Sequence, residues 1–267
     1  MKWNGQAEDA IGKIPFFVRK KVRMRVEKAA AEVGRMIVSL DDVKAVQRRF
    51  IKNMASEVKG YQLDACFGQG AGCAQRVIRS GSLAQRLSEL LERVDLLGFL
   101  KGEVKGGLKM HHEFRVTLAD CPNGCSSPQI KDIGIVAAMR PAVTAAPCTD
   151  CNACVAVCRE SAVALAPHGG PPAIVPEKCV LCAQCVNVCP SGALVAGETG
   201  YTVFLGGKLG RHPRLARPIP GIFTEDEVIE IVEACVDFFK QNSRNGKRFA
   251  EILSDGDFEK MANRYGR

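Results

Sequence analysis

Aromatic residues are scarce in this chain: Phe, Trp and Tyr make up 6% of its 267 residues, and Trp3 is the single tryptophan. With so few stacking groups and no nucleic-acid motif, nucleic acid is not an expected partner. No apolar run approaches the ~18 residues of a membrane span. Met1-Lys2-Trp3-Asn4-Gly5 has no signal-peptide core, so neither a membrane span nor export is expected. No Ser/His/Asp nucleophile arrangement, Walker loop or Rossmann fingerprint occurs; Gly68-x-Gly70-x-Gly72 is too short for one and lies between cysteines.

Cysteine is abundant, with thirteen in the chain. Eight of them fall as two copies of C-x2-C-x2-C-x3-C: Cys148, Cys151, Cys154 and Cys158, then Cys179, Cys182, Cys185 and Cys189, the last followed by Pro190. This is the ligand spacing of a bacterial two-cluster ferredoxin. Three closely spaced thiolates reach three irons of one cube, and the chain carries the fourth cysteine to the other cube. Cluster 1 is therefore assigned to Cys148, Cys151, Cys154 and Cys189, and cluster 2 to Cys179, Cys182, Cys185 and Cys158. Zinc is the simpler alternative, but its sites use four ligands in C-x2-C pairs, often with His. So many thiols held as ligands imply a reducing, cytoplasmic and anaerobic setting.

Net charge is +8, high for a small ferredoxin. A polycarboxylate cofactor or an acidic electron donor explains it as well as nucleic acid does.

The patterning divides the chain. Residues 1–55 read as a basic helical module. Its stripe is Ile14, Val18, Val22, Val26, Ala29, Ala30 and Val33; Arg19, Lys20, Lys21, Arg23, Arg25 and Lys28 occupy the other faces. Gly34 fits the helix stop, and Asp41 the opening of a second, short helix. In 56–146, Ser82 with Gln85 reads as a capping box for a helix striped by Leu83, Leu87, Leu90, Leu91, Val94 and Leu97, with Gly98 at its end. Phe114, Val116 and Leu118 have strand period, and Ile133–Val136 reads as a neighbouring strand. Residues 147–196 are the ferredoxin insert, each half giving a cluster loop and a short hairpin. Residues 197–267 resume with a strand through Tyr201, Val203 and Leu205. A helix follows, capped by Thr224 and Glu227 and striped by Val228, Ile231, Val232, Cys235, Val236 and Phe239. Cys235 reads as a buried core thiol.

Four more cysteines precede the insert: Cys66, Cys73, and the pair in Cys121-Pro122-Asn123-Gly124-Cys125. With Asp132-Ile133-Gly134-Ile135 and Gly206-Gly207-Lys208-Leu209-Gly210-Arg211-His212-Pro213-Arg214, this stretch resembles the iron–sulfur/sirohaem domain of sulfite and nitrite reductases. The inserted ferredoxin is similar to that of dissimilatory and anaerobic-type sulfite reductases. The resemblance implies an α+β fold, a sulfite-reductase-like iron–sulfur domain (56–146 and 197–267) interrupted by a 2[4Fe–4S] module, with the helical unit in front. It implies a third [4Fe–4S] cluster on Cys66, Cys73, Cys121 and Cys125, with Cys125 also bridging to sirohaem. Arg76, Lys208 and Arg211 would hold a sulfite or nitrite anion, and Arg79 and Arg214 the sirohaem carboxylates. His111 and His112 would supply protons, and His212 belongs to the basic turn suited to an anionic cofactor edge. The family's first two cysteines are separated by five residues, but six separate Cys66 from Cys73. The further half-domain that completes the family's haem pocket has no room in this chain. A partner subunit or a homo-oligomer mate would complete it, and a redox protein would donate electrons. The rival reading is an electron-transfer protein that keeps the clusters without sirohaem, serving a partner reductase. A third is a binding module that docks through its basic unit on an acidic or nucleic-acid partner.

Trp3, Ala7, Ile14-Pro15-Phe16-Phe17-Val18-Arg19-Lys20-Lys21-Val22-Arg23, Glu27, Ala30 and Gly34 resemble the small C-terminal module of light-independent protochlorophyllide reductase. That resemblance implies subunit contacts, or a cover over a tetrapyrrole.

Overall fold

The structure is a computed structural model that describes residues 1–14, 16–66, 72–166 and 170–267. Pro15 and most of the glycine run between Cys66 and Cys73 lie outside the described residues. The chain forms two compact units, Met1–Lys59 with Lys105–His111, and Gly60–Val104 with His112–Arg267.

In the first unit, β1 (Lys2–Trp3) pairs in parallel with β2 (Ile37–Val38). Helix α1 (Gly5–Gly12) is capped by Asn4, whose side chain accepts from the Ala7 N–H at 2.8 Å. Helix α2 (Phe16–Glu32) ends as expected at Gly34, with φ +72°, and Arg35 N–H returns to the Ala30 carbonyl. Val26 and Ala30 are buried with Ala7, Val38 and Val43, whereas Val33, placed on the apolar stripe by its spacing, is 68% exposed just beyond the helix end. The next helix starts before Asp41 and is not short. Ser39 caps α3 (Leu40–Glu57) in a reciprocal box with Asp42, so the polar run Ser39–Asp42 is the cap and its first turn.

The second unit is built on a five-stranded sheet in the order β3-β4-β5-β8-β9. Strands β3 (Tyr61–Ala65), β4 (Phe114–Ala119) and β5 (Ile133–Val143) run parallel. Between β3 and β4 lie α4 (Gly81–Arg93) and α5 (Leu96–Glu103). The expected Ser82 capping box is absent: α4 starts at Gly81, Ser82 Oγ donates to Glu225, and Gln85 donates to Glu89. Gly98 does not stop the helix either. The break comes at Asp95, with φ 42°, whose carboxylate accepts the Gly98 N–H at 2.9 Å and opens α5.

Strand β5 turns back only after a long excursion. Residues 144–193 form the loop of a hairpin whose arms are β5 and β8 (Leu194–Leu205), paired from Ile133↔Leu205 to Val143↔Leu194. Within the loop, α6 (Ala153–Val157) and α7 (Gln184–Asn187) follow the two cysteine loops, and β6 (Val163–Ala164) pairs with β7 (Ala173–Ile174). One hairpin thus lies between the repeats, while the second repeat runs straight into β8. The register slips between Met139 and Pro141, where Gly197 and Glu198 face Arg140 alone, a bulge that bends the arm.

Strand β9 (Arg217–Pro218) completes the sheet, and α8 (Glu225–Asn242), α9 (Phe249–Ile252) and α10 (Asp255–Tyr265) close the chain. Thr224 and Glu227 form the expected capping box, and the stripe Val228 to Phe239 is buried, Cys235 included. Phe114 of β4 packs on Phe239 and Phe249 at ring-centroid distances of 5.2 and 5.5 Å. Two of the motif glycines are packing requirements: a Cβ on Gly134 would meet the Pro128 carbonyl oxygen at 2.2 Å, and one on Gly207 the Gln129 carbonyl at 2.6 Å.

Candidate metal centres

Cys66 and Cys121 emerge at the carboxyl ends of neighbouring parallel strands, where open α/β sheets place ligands. Cys66 N–H extends the β3–β4 ladder by donating to Leu118 O at 2.9 Å. Past the glycine run, Val77 N–H donates to Asp120 O at 2.8 Å, which ties the segment after Cys73 to the residue before Cys121. The loop of Cys121 to Cys125 is tight, with Gly124 at φ 58° and its N–H donating to Cys121 O. Burial pushes the Cys121 thiol up, opposed by the Asn123 N–H and reinforced by Cys125, Cys66 and Cys73 close by. The four cysteines expected to hold the third cluster thus converge. Cys66 and Cys121 are buried, Cys73 is half-buried and Cys125 is exposed.

The two loops of the insert repeat in backbone as well as in sequence. Asp150 and Asn152 have φ of 51° and 58°; Leu181 and Ala183, at the matching positions, have 61° and 62°. Left-handed backbone is strained for residues with a Cβ, and such strain clusters at ligand-holding loops. The fourth cysteine of each loop accepts a main-chain N–H on sulfur: Ala162 N to Cys158 Sγ at 3.3 Å, and Leu194 N to Cys189 Sγ at 3.4 Å. Leu194 N–H, with Ser191, holds the Cys189 thiol below its ordinary range. Burial, with Cys182 and Cys179 adding to it, pushes Cys185 up to about 11. Burial likewise raises Cys154, which lies near Cys148 and Cys151.

Cys158, Cys179, Cys182 and Cys185, together with Cys121, line one cavity of about 220 Å³. The first four are the set assigned to cluster 2, including the crossover of Cys158 from the first loop. Four thiols around a space of that size fit an iron–sulfur cube. Among the described residues no His, Cys, Asp or Glu group is close enough to hold a single metal ion.

The basic candidates have different fates. Arg214 donates to the carbonyls of Gly206 and Ala250 at 3.0 and 2.7 Å, and Arg76 to that of Cys73 at 3.2 Å, so both hold loops. Lys208 is half-buried, while Arg79, Arg211 and His212 are exposed. Lys208 and Arg214 exchange main-chain hydrogen bonds, closing a small hairpin stitched to residues 129–132 just after Cys125. His112 packs by the Gly246 turn at the start of β4, the opposite end of that strand from Cys121, and His111 belongs to the first unit.

Sequence reasoning did not find Asp120 and Ser80. Both are fully buried, and among the described residues both Asp120 carboxylate oxygens lack a hydrogen-bond partner. The Asp120-Cys121 adjacency was the available signal.

Cysteine loops at strand ends, with a cysteine-lined cavity beside them, define an iron–sulfur protein on a mixed sheet. The chain belongs to the nitrite and sulphite reductase 4Fe-4S domain family, whose model matches residues 103–266. That membership carries at least one [4Fe–4S] cluster. Residues 3–47 match the family of the proto-chlorophyllide reductase 57 kD subunit. Over 101 residues the chain is 42% identical to a coenzyme F420-dependent sulfite reductase of Methanocaldococcus jannaschii, covering 38% of this chain and 16% of that protein. Over 41 residues it is 49% identical to one of the subunits of the light-independent protochlorophyllide reductase of Pelodictyon phaeoclathratiforme, covering 15% of this chain and 8% of that one. The fold is similar to the crystal structure of dissimilatory sulfite reductase I, with TM-score 0.51 and 16% identity over 81% of this chain and 56% of that one. Among the described residues no helix is long and apolar enough to cross a membrane.

Proposed function

We propose that the chain is an iron–sulfur oxidoreductase of the sulfite and nitrite reductase type that carries electrons through two ferredoxin-like clusters to a third cluster beside a sirohaem centre. The observation that carries this reading is the cavity whose four cysteines come from both loops of the insert and whose wall includes Cys121, Pro122 and Asn123. Bound clusters would supply one-electron storage, and sirohaem the site where the anion is reduced.

The chain's own residues do the rest. Thiolates bind the irons, and the N–H groups of Ala162, Leu194 and Asn123 stabilise charge on sulfur, which raises reduction potentials. Cys125, exposed, presents a thiolate outward for sharing with sirohaem. Lys208 and Arg211 on the adjoining hairpin supply positive potential for a sulfite or nitrite anion and for the cofactor's carboxylates. Leu209 and Leu215 on the same hairpin are 59% and 68% exposed, as befits a face completed by a partner subunit or a second copy.

A second reading, an electron-transfer subunit without sirohaem, is favoured by Arg214. Its Nε and Nη2 donate to two main-chain carbonyls, which spends part of the guanidinium on holding loops instead of a cofactor carboxylate. An anaerobic absorption spectrum, with iron and acid-labile sulfide counts on the same sample, separates the two. Isobacteriochlorin bands over about twelve cluster irons, with viologen-driven sulfite or nitrite reduction, are expected. Iron–sulfur absorption alone, with no anion reduction, establishes the second reading instead, and a colourless preparation holding zinc overturns both.

A further inference from the structure

The two cysteine loops of the insert are equivalent in sequence but not in place. The second reaches back to the sheet: β4 stops at Ala119, opposite Val136, and further along that edge of β5 the Met139 N–H donates to Leu181 O at 2.9 Å, with Met139 bridged in parallel to Cys182. Leu181 and Cys182 therefore occupy the lane that β4 would have continued along, next to the loop into which β4 runs. The cavity of Cys158, Cys179, Cys182 and Cys185 consequently shares a wall with Cys121, Pro122 and Asn123. The set Cys148, Cys151, Cys154 and Cys189 contributes only its connections through α6 and α7, whose cysteines Cys154 and Cys185 are buried in one core with Cys158 and Cys189 packed against it. Exposure follows the same order. None of Cys158, Cys179, Cys182 and Cys185 is exposed, whereas Cys151 of the other set is, and so is Cys125 of the third set.

We propose that the seat of Cys158, Cys179, Cys182 and Cys185 is the inner relay, and the seat of Cys148, Cys151, Cys154 and Cys189 the outer port. Electrons from an external one-electron donor enter on the Cys151 side. They cross α6 and α7, pass the Cys182–Asn123 wall, and leave by Cys125. Each transfer moves one electron from a reduced seat to an oxidised neighbour, so the donor is oxidised and the third seat reduced without any bond being made. The proposal rests on the function given above.

The test uses the full chain, prepared without oxygen and reduced with photoreduced deazaflavin. Electron paramagnetic resonance of the wild type should show the third seat magnetically coupled to a neighbour. In Cys182→Ser that coupling should be lost, and in Cys151→Ser it should persist. Loss in Cys151→Ser with retention in Cys182→Ser overturns the order. Asn123→Asp keeps all cysteines and tests the shared wall independently. The added negative charge should lower two midpoint potentials, those of the inner and third seats, and leave the outer one unchanged. A shift of the third alone, or of the outer seat, overturns the proposal. Iron counts separate the levels: three groups with the wrong pair coupled refutes only the order, whereas fewer than three in the wild type refutes the functional reading itself.

Discussion

The environments of Cys185 and Cys189 differ enough to be read in a chemical experiment. Both close the same stretch of chain, yet Cys185 is buried and pushed up to about 11, while Cys189 accepts the Leu194 N–H and is held below its ordinary value. The thiolate is the nucleophile, so at a given pH the residue with the lower value has the larger reactive fraction. In metal-free protein at pH 8, iodoacetamide should modify Cys189 well before Cys185, and raising the pH toward 11 should narrow the gap. Peptide mapping by mass spectrometry follows both. Equal rates at pH 8 would refute the assignment of environments. The same residues show why part of the candidate centre could be proposed from the sequence. Ligand spacing is a local property: three thiolates must reach one cube within seven residues, and that constraint is written directly into the sequence. The wall between Asn123 and Cys182 is not local, because it depends on where β4 stops and on the lane Leu181 takes beside β5.

At the scale of elements, caps decide the boundaries, and two of them make predictions. Thr224 and Glu227 close a reciprocal box at the start of α8, with Thr224 N–H donating to Glu227 at 2.8 Å. Thr224→Ala should destabilise the second unit by about 1 kcal/mol, measured as a lower denaturant midpoint, whereas Ser82→Ala should leave the α4 cap unaffected. That contrast tests why one box was legible and the other misread. Both have the same sequence signature, but Ser82 lies inside α4 and its hydroxyl is taken by Glu225 from a distant helix. The break at Asp95 was hidden for a related reason: the leucine stripe continues through it without losing phase. In the first unit, burial pushes Asp42 up, but the Ser39 N–H and hydroxyl with Arg35 outweigh it and hold the carboxyl below its ordinary value of 3.8. A carboxyl lowered by folding adds stability above that unfolded value and loses it as pH falls through the folded one. Trp3, packed against this core, reports the transition. Acid titration followed by its fluorescence should show the first unit weakening below pH 3.8, and Asp42→Asn should flatten that dependence while lowering stability at pH 7.

Over the whole molecule, charge is divided more sharply than composition suggests. Residues 1–59 hold fourteen Lys and Arg against seven Asp and Glu, a net +7, so the remaining residues account for only +1 of the chain's +8. A [4Fe–4S] cube with four thiolates carries a net charge of about −2. Three of them would take the loaded chain to about +2 and leave residues 60–267 at about −5. Loading therefore turns a generally basic protein into one with a basic segment, residues 1–59, and an acidic remainder. On a cation exchanger at pH 7 the loaded chain should elute at lower salt than the metal-free chain. The remaining retention should reside in the basic unit, so that Lys20→Glu with Lys21→Glu, both at exposed positions on α2, abolishes it. Identical elution of loaded and metal-free protein would mean that fewer anionic groups bind than twelve cysteines acting as ligands would imply. The same division bears on how an acidic partner would associate. Long-range attraction between charges is screened within about 10 Å at 0.1 M salt, so an acidic partner drawn to the first unit should associate more slowly as salt rises. The Lys20→Glu, Lys21→Glu chain should associate slowly at every salt concentration, and stopped-flow rates across an ionic-strength series distinguish that behaviour from contact through an apolar face, whose rate would barely change.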